Sequence, residues 1–220
     1  EWSSFSRKVR EWLKTTTNED DNYVWDAYVA YQMLFFLSNN GMRLGEVVKV
    51  KRKDIQFYQR KGASQKNLCA FVQVHPSTKT GAREVNAMGG EFAKRVFVKS
   101  KYQTKNDFLF CHLDGSPFTT KQFRTWFQRM IAFTDENERW GKEFVPYSLR
   151  HLYATTRLQN GTSKGALCEN MGVTEPYLRK HYSHYLTRLA TDDLMKINKS
   201  IGLGGKVFSK DDFLLPEPSK

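Results

Sequence analysis

Tyr182 has the residue type and the setting of a phenolic nucleophile. It lies in the run Tyr-Leu-Arg-Lys-His-Tyr-Ser-His, residues 177–184. A free phenol has a pKa of about 10, so it needs nearby cations and a proton acceptor before it can attack at neutral pH. Arg150 lies 32 positions upstream (182 minus 150), in Ser-Leu-Arg-His-Leu-Tyr-Ala-Thr, residues 148–155. A tyrosine in a basic run and an arginine that could bind a phosphate predict, as a pair, attack on a phosphodiester.

Arg43 is a second candidate for binding a phosphate. It follows a glycine turn in Gly-Met-Arg-Leu-Gly-Glu, residues 41–46, and an arginine at the start of a helix can present its forked guanidinium to an anion. Glu46 is three residues further on the same helical face and could hold that side chain. The alternative reading of this pair is an ordinary surface ion pair.

Lys79 and Tyr147 complete the set of candidates. Lys79 lies in a predicted turn between two strands, residues 77–85, where it could protonate a leaving oxygen or simply be a solvated hairpin lysine. Tyr147 follows Pro146, which suits the first turn of a helix. Its spacing of three from Arg150 puts both side chains on one face, where they could contact one phosphate.

Composition indicates a folded protein that binds a polyanion. The 220 residues carry 35 Lys and Arg against 23 Asp and Glu, a net charge of +12, and 40% are hydrophobic. Such an excess of positive charge favours nucleic acid as the partner, the alternative being a merely basic surface. The longest apolar stretch, residues 33–37, is too short to cross a bilayer, and three scattered cysteines indicate reduced thiols without a metal site.

The elements that must position these residues read as mainly α with a small antiparallel β-sheet, an α+β class. Residues 15–22 are polar and are predicted to be a linker or loop. Strands are predicted at residues 54–60, 68–75 and 83–87. Helices are predicted at residues 3–14, 23–38, 43–50, 90–100, 119–133, 146–160, 163–170, 174–184 and 187–198.

The order and spacing of these motifs over residues 22–200 resemble the catalytic domain of the tyrosine recombinases, the phage integrase family. In that family a Gly-x-Arg-x-x-Glu box, a hairpin lysine, a Leu-Arg-His-x-x-Ala-Thr helix and a tyrosine about thirty residues later form one site. The resemblance assigns these roles to Arg43 with Glu46 beside it, Lys79, Arg150, Tyr182 and, after the nucleophile, Ser183 with His184.

The chain departs from the family pattern at two positions. Tyr147 stands three residues before Arg150, where the family commonly has His, and Val173 stands nine before Tyr182, where it commonly has His or Trp. Tyr147 can still donate an O–H, whereas the Val173 side chain can only pack. The imidazoles of His151, His181 and His184 are close in sequence and could compensate.

The resemblance implies DNA strand cleavage through a 3′-phosphotyrosine, then rejoining, without metal or cofactor. It implies double-stranded DNA as partner, self-association as a tetramer on DNA, no membrane, and a cytoplasmic location in a bacterium or a virus-infected host. Residues 1–21 would be the end of a missing N-terminal DNA-binding domain, 22–200 the catalytic domain, and 201–220 a tail that docks on a neighbouring subunit. The predicted phosphate contacts are Lys49, Lys51, Arg52, Lys53, Arg124, Arg129, Arg157 and Arg179.

Two alternatives share the motifs. A type IB topoisomerase uses the same chemistry to relax supercoils, although the run Leu149-Arg150-His151 fits it less well. A DNA-binding module that has kept the fold and lost catalysis is suggested by Tyr147 and Val173.

Overall fold

The computed structural model describes residues 2–59, 68–76 and 81–182. Over these residues the chain is mostly helical with one three-stranded antiparallel sheet, which confirms the predicted mainly α class. The strands are β1 (Ile55–Gln59), β2 (Leu68–Val74) and β3 (Arg83–Ala87). The helices are α1 (Trp2–Thr15), α2 (Asp21–Ser38), α3 (Leu44–Val47), α4 (Gly90–Lys99), α5 (Thr120–Thr134), α6 (Glu136–Trp140), α7 (Pro146–Gln159) and α8 (Lys164–Met171). Residues 175–182 are also helical.

Helix α2 is the centre of the main core. The Asp20 side chain caps it by accepting hydrogen bonds from the backbone N–H groups of Asn22 and Tyr23, at 3.0 and 3.1 Å. The helix is apolar on nearly all sides, as expected for a helix surrounded by others, and it packs against α1, α4, α5 and α7. It ends before Gly41, whose φ of 69° turns the chain toward α3.

The sheet carries an arginine on its inner face. Strand β2 lies between β1 and β3, with Val72 opposite both Ile55 and Val85. Because side chains alternate along a strand, Arg83 shares a face with Val85 and Ala87, which are fully buried. Arg83 therefore enters the interior at the start of β3.

A second, smaller apolar cluster joins α7, α8 and the 175–182 helix. Tyr182 belongs to this cluster, and Val173 packs against it, which is the role that its apolar side chain allows. The buried members are Tyr153, Ala154, Leu158, Leu167, Cys168, Met171, Leu178 and Tyr182.

Three local predictions differ from the structure. The expected loop at 15–22 contains a 3₁₀ turn, Thr16–Asn18, and the start of α2, because the Asp20 cap allows the helix to begin early. Helix α3 is shorter than the predicted 43–50. Helix α6 was not predicted; its single turn is stabilised by a 2.8 Å hydrogen bond from Trp140 Nε1 to Glu136 Oε2. The predicted helix at 187–198 and the tail at 201–220 lie outside the described residues.

Candidate active site

Three consecutive carbonyl groups at the end of α8 accept hydrogen bonds from three arginines. Arg83, Arg150 and Arg43 donate to the carbonyls of residues 170, 171 and 172, at 3.3, 2.9 and 3.5 Å respectively. The last carbonyls of a helix have no partner within it and form the negative end of its dipole. The end of α8 therefore gathers guanidinium groups from a strand, a helix and a turn.

Glu46 is the carboxylate that balances this positive charge. Its side chain is buried, and it accepts from Arg83 at 3.1 and 2.8 Å and from Arg43 Nη1 at 3.2 Å. Glu46 also accepts from the backbone N–H of Arg43 at 2.9 Å, which closes the first turn of α3. The predicted placement of Arg43 at a helix start, with Glu46 holding it, is confirmed.

Arg150 is the most enclosed of the three arginines, with 2% of its surface exposed. One terminal nitrogen donates to the Met171 carbonyl and the other to the Gly41 carbonyl. Burial, followed by the neighbouring charge of Arg43, lowers the pKa of Arg150 below its ordinary value. Its Nε is buried and has no hydrogen-bond partner among the described residues.

Tyr147 lies at the surface beside this cluster. Its hydroxyl is 2.7 Å from the hydroxyl of Tyr177, and 43% of the residue is exposed. Its ring meets the ring of His151 edge to face, with centroids 4.9 Å apart. Burial and the bond to Tyr147 raise the pKa of Tyr177, while Arg150 acts in the opposite direction.

Tyr182 is buried and its hydroxyl contacts an imidazole. The Oη atom lies 2.6 Å from Nδ1 of His151, the residue that follows Arg150 on α7. Burial, with the phenols of Tyr147 and Tyr177 as further causes, raises the pKa of Tyr182 above its ordinary value. Arg150 lowers that pKa, although its effect is smaller. The phenol is therefore protonated at neutral pH and needs a base to become a nucleophile.

The structure thus brings together Arg43, Glu46, Tyr147, Arg150, His151 and Tyr182. Their catalytic roles remain predictions. Lys79 and His184 lie outside the described residues, so their places in the site also remain predictions.

The eight predicted phosphate contacts are in different settings. The predicted phosphate contact of Arg52 is wrong. Its guanidinium is buried, donates to the Phe97 carbonyl at 2.8 Å and to Gln103 Oε1 at 2.6 Å, and lies over the Phe97 ring. It serves the interior and is not available to DNA. Lys51 and Arg157 are partly buried over aromatic rings. The exposed members are Lys49, Lys53, Arg124, Arg129 and Arg179.

Three site residues had no role in the sequence-based interpretation. Arg83 could have been found from strand alternation, which puts it on the face of the buried Val85. Asn170 Nδ2 donates to the Asn40 carbonyl at 3.0 Å and to the Tyr153 hydroxyl at 2.9 Å. No local sequence pattern predicts these hydrogen bonds of Asn170. Tyr177 has no assigned role in the sequence, yet its hydroxyl reaches the site.

Metal-ligand clusters and membrane-spanning helices are absent from the described residues. No group of three or more His, Cys, Asp or Glu side chains there is arranged to hold a metal ion. None of the helices in this part of the chain is long and apolar enough to span a bilayer.

The sequence and the fold match those of a known family. The chain belongs to the phage integrase family, whose model matches residues 5–188. The resemblance seen in the sequence is thereby confirmed.

Curated relatives extend this result. The tyrosine recombinase XerD of Listeria innocua is 29% identical over 168 residues, covering 74% of this chain and 52% of XerD. The transposase of transposon Tn916 from Enterococcus faecalis is 23% identical over 184 residues, covering 77% of this chain and 45% of the transposase. The chain therefore spans about half the length of these relatives.

Solved structures show the same fold. XerH recombinase in a post-cleavage complex with a palindromic difH substrate superposes with a TM-score of 0.63 at 19% identity, covering 88% of this chain and 50% of XerH. The Tn1549 transposon integrase bound to transposon right end DNA gives a TM-score of 0.53 at 20% identity, covering 86% of this chain and 63% of the integrase.

Proposed function

We propose that this chain is the catalytic part of a site-specific DNA recombinase that cleaves and rejoins strands through a 3′-phosphotyrosine. The observation that carries the proposal is the position of Tyr182. Its hydroxyl bonds to His151, the immediate neighbour of Arg150, whose guanidinium lies within the arginine cluster. A nucleophile beside fixed cationic donors is the arrangement that attack on a phosphodiester requires.

In this mechanism Tyr182 attacks the scissile phosphorus and displaces the 5′-oxygen of the next nucleotide. Arg43 and Arg150 bind the non-bridging oxygens and stabilise the charge that builds on them, each donor contributing about 3 kcal/mol. Tyr147 donates a further hydrogen bond, and Lys79 protonates the 5′-oxygen. A 5′-hydroxyl then attacks the phosphotyrosine and rejoins the strand.

Double-stranded DNA is the proposed partner. The net charge of +12 and the exposed basic side chains support it, as do the DNA complexes of the XerH and Tn1549 proteins. Assembly into a tetramer on DNA is part of the proposal, as is a cytoplasmic setting; the curated relatives reported above are bacterial.

The experiment that tests the function uses DNA of unspecified sequence. A library of duplexes of randomised sequence is used, each with a nick close to the position at which cleavage is tested. Cleavage there releases a short piece of strand that diffuses away, so the covalent complex is trapped. We expect SDS-resistant adducts with the wild-type chain and none with Tyr182→Phe. Sequencing the trapped DNA defines a substrate for later measurements. Absence of adducts, despite binding, would favour the DNA-binding module.

Arg150→Lys examines the phosphate site separately. A lysine keeps the charge but cannot reproduce the fork that spans Gly41 and Met171. We expect adduct formation on the selected duplex to fall roughly a hundredfold or more, with DNA affinity largely retained. Site-independent relaxation of supercoiled plasmid by the wild-type chain would instead favour a topoisomerase.

A further inference from the structure

We propose that His151 is the residue that accepts the proton of Tyr182 during strand cleavage, an inference that rests on the proposed function. The carrying observation is the 2.6 Å separation between Tyr182 Oη and His151 Nδ1. This distance is within the range at which a general base takes a proton directly.

Within residues 2–59, 68–76 and 81–182, three side chains close to Tyr182 are less suited than His151 to accept its proton. Tyr147 and Tyr177 are phenols, poor proton acceptors at neutral pH, and their hydroxyls are 2.7 Å from each other. Val173 packs against the second apolar cluster and cannot accept a proton. Among the described residues, the hydroxyl of Tyr182 forms its hydrogen bond with an imidazole, which is the side chain best suited to proton transfer near pH 7.

The imidazole is held in place by its surroundings. Tyr147 presents its ring at 82° to the His151 ring, with centroids 4.9 Å apart. Arg150, next to it on α7, is fixed by the carbonyls of Gly41 and Met171. The base and one phosphate ligand therefore move as a single unit on one helix.

The charge state of His151 suits an acceptor. Burial lowers its pKa below the ordinary value, and the neighbouring charges of His181 and Arg150 lower it further. Glu136 and Lys142 line the cavity of about 450 Å³ that reaches the same imidazole. The ring is thus neutral at pH 7, and its Nδ1 can accept when the hydrogen is on Nε2.

The proton and electron balance is complete. A lone pair on Tyr182 Oη forms the bond to phosphorus as the phenolic proton passes to His151 Nδ1, which gives an imidazolium. The pair of the P–O5′ bond leaves with the 5′-oxygen, which takes a proton from the general acid proposed at Lys79. On rejoining, the imidazolium returns its proton to the departing phenolate.

The test is the single-turnover rate of adduct formation by the full chain on the selected nicked duplex, measured against pH. In the wild type we expect the rate to rise with pH through an inflection below about 6.5, the ordinary histidine value, and then level off. His151→Asn places an amide near the position of Nδ1, so it can keep a hydrogen bond to Tyr182 without the basicity. We expect it to lose this inflection and to be about a hundredfold slower at pH 7.

A second substrate separates the base from the acid. A duplex with sulfur in place of the scissile 5′-oxygen has a leaving group that needs no proton. We expect this duplex to leave the His151→Asn rate low, because the missing step is on the nucleophile's side. Restoration of the rate by sulfur would overturn the assignment.

The matched control is His181→Gln, an exposed histidine on the helix of Tyr182. It should keep the plateau rate within about twofold and move the inflection upward, because one charge that lowers the His151 pKa is gone. A His151→Asn variant as fast as, or faster than, the wild type would overturn the inference. The proposed function is tested separately, by the loss of adducts in Tyr182→Phe. The wild-type inflection and its shift in His181→Gln need no His151 variant, so misfolding of that variant cannot hide a negative result.

Discussion

Arg83 Nη2 lies 2.8 Å from Glu46 Oε2, although 37 positions separate the two residues in sequence. The pair joins the start of β3 to the first turn of α3. The same carboxylate holds Arg43, so one buried acid orients two cations. A buried ion pair is costly to break because the remaining charge has neither water nor a partner.

Replacement of Glu46 by Gln should therefore damage both stability and activity. Without the carboxylate, Arg43, Arg83 and Arg150 repel one another in a poorly solvated site. We expect the free energy of unfolding to fall by about 3 kcal/mol in denaturant titrations, with adduct formation on the selected duplex nearly lost. Glu138→Gln, on the exposed side of α6, is the matched control and should change stability by less than about 0.5 kcal/mol. Equal stability of the two variants would contradict the structural role of Glu46.

Gly41→Ala should be more harmful than another glycine replacement with similar backbone strain. Gly41 has φ of 69°, and a Cβ there would lie 2.5 Å from the Tyr153 ring. Gly161 has φ of 77°, and a Cβ there would meet nothing within 4 Å. We expect Gly161→Ala to lower the free energy of unfolding by about 1 kcal/mol because of the strained backbone. Gly41→Ala should lower it clearly more, because the clash with the ring adds to the strain. Thermal or denaturant unfolding measures both. Equal losses in the free energy of unfolding would mean that the Tyr153 ring moves aside without an energetic cost.

Glu91 should make the protein less stable at neutral pH than at mildly acidic pH. Burial raises the pKa of this carboxyl, and its Oε2 has no hydrogen-bond partner among the described residues. A raised folded pKa contributes stability that is complete below the unfolded value, 4.5, and is lost as pH rises through the folded value. Glu91→Gln should thus stabilise the protein at pH 7 by up to about 1 kcal/mol.

This advantage should vanish below the unfolded pKa, where the wild-type carboxyl is protonated in both states. Denaturant titrations at a series of pH values measure it. Glu11→Gln, on the exposed face of α1, is the control and should lack this dependence on pH. A gain for Glu91→Gln that persists unchanged at low pH would exclude ionisation as its cause.

Arg124 should contribute to DNA affinity through a phosphate. It is exposed on α5 and lines a shallow depression together with Lys121 and Arg129. Arg124→Ala should weaken binding to duplexes of any sequence and reduce the slope of log affinity against log salt concentration by about one. Arg10→Ala removes an exposed arginine from α1 and should leave the slope unchanged. The same reduction in both variants would count against α5 as part of the DNA-binding face.

The main elements of the fold were accessible from sequence because their signals are local. The pattern of apolar residues predicted α1, α2, α5 and α7, and β-forming residues that alternate or cluster predicted all three strands. Helix α6 was not predicted, because a single turn stabilised by the Trp140–Glu136 contact is too short to show a helical pattern of apolar residues.

The sequence by itself determined which side chains could do the chemistry. It supplied an arginine at a helix start with its acid three residues on, a second arginine one position before His151, and a tyrosine in a basic run. Tertiary structure decided how they meet. Arg150 reaches the Gly41 carbonyl across 109 positions, and the carbonyls of residues 170–172 hold three arginines from separate elements. Such contacts depend on how helices and strands pack over long separations, and neither the 3.6-residue period of a helix nor the two-residue period of a strand encodes that arrangement.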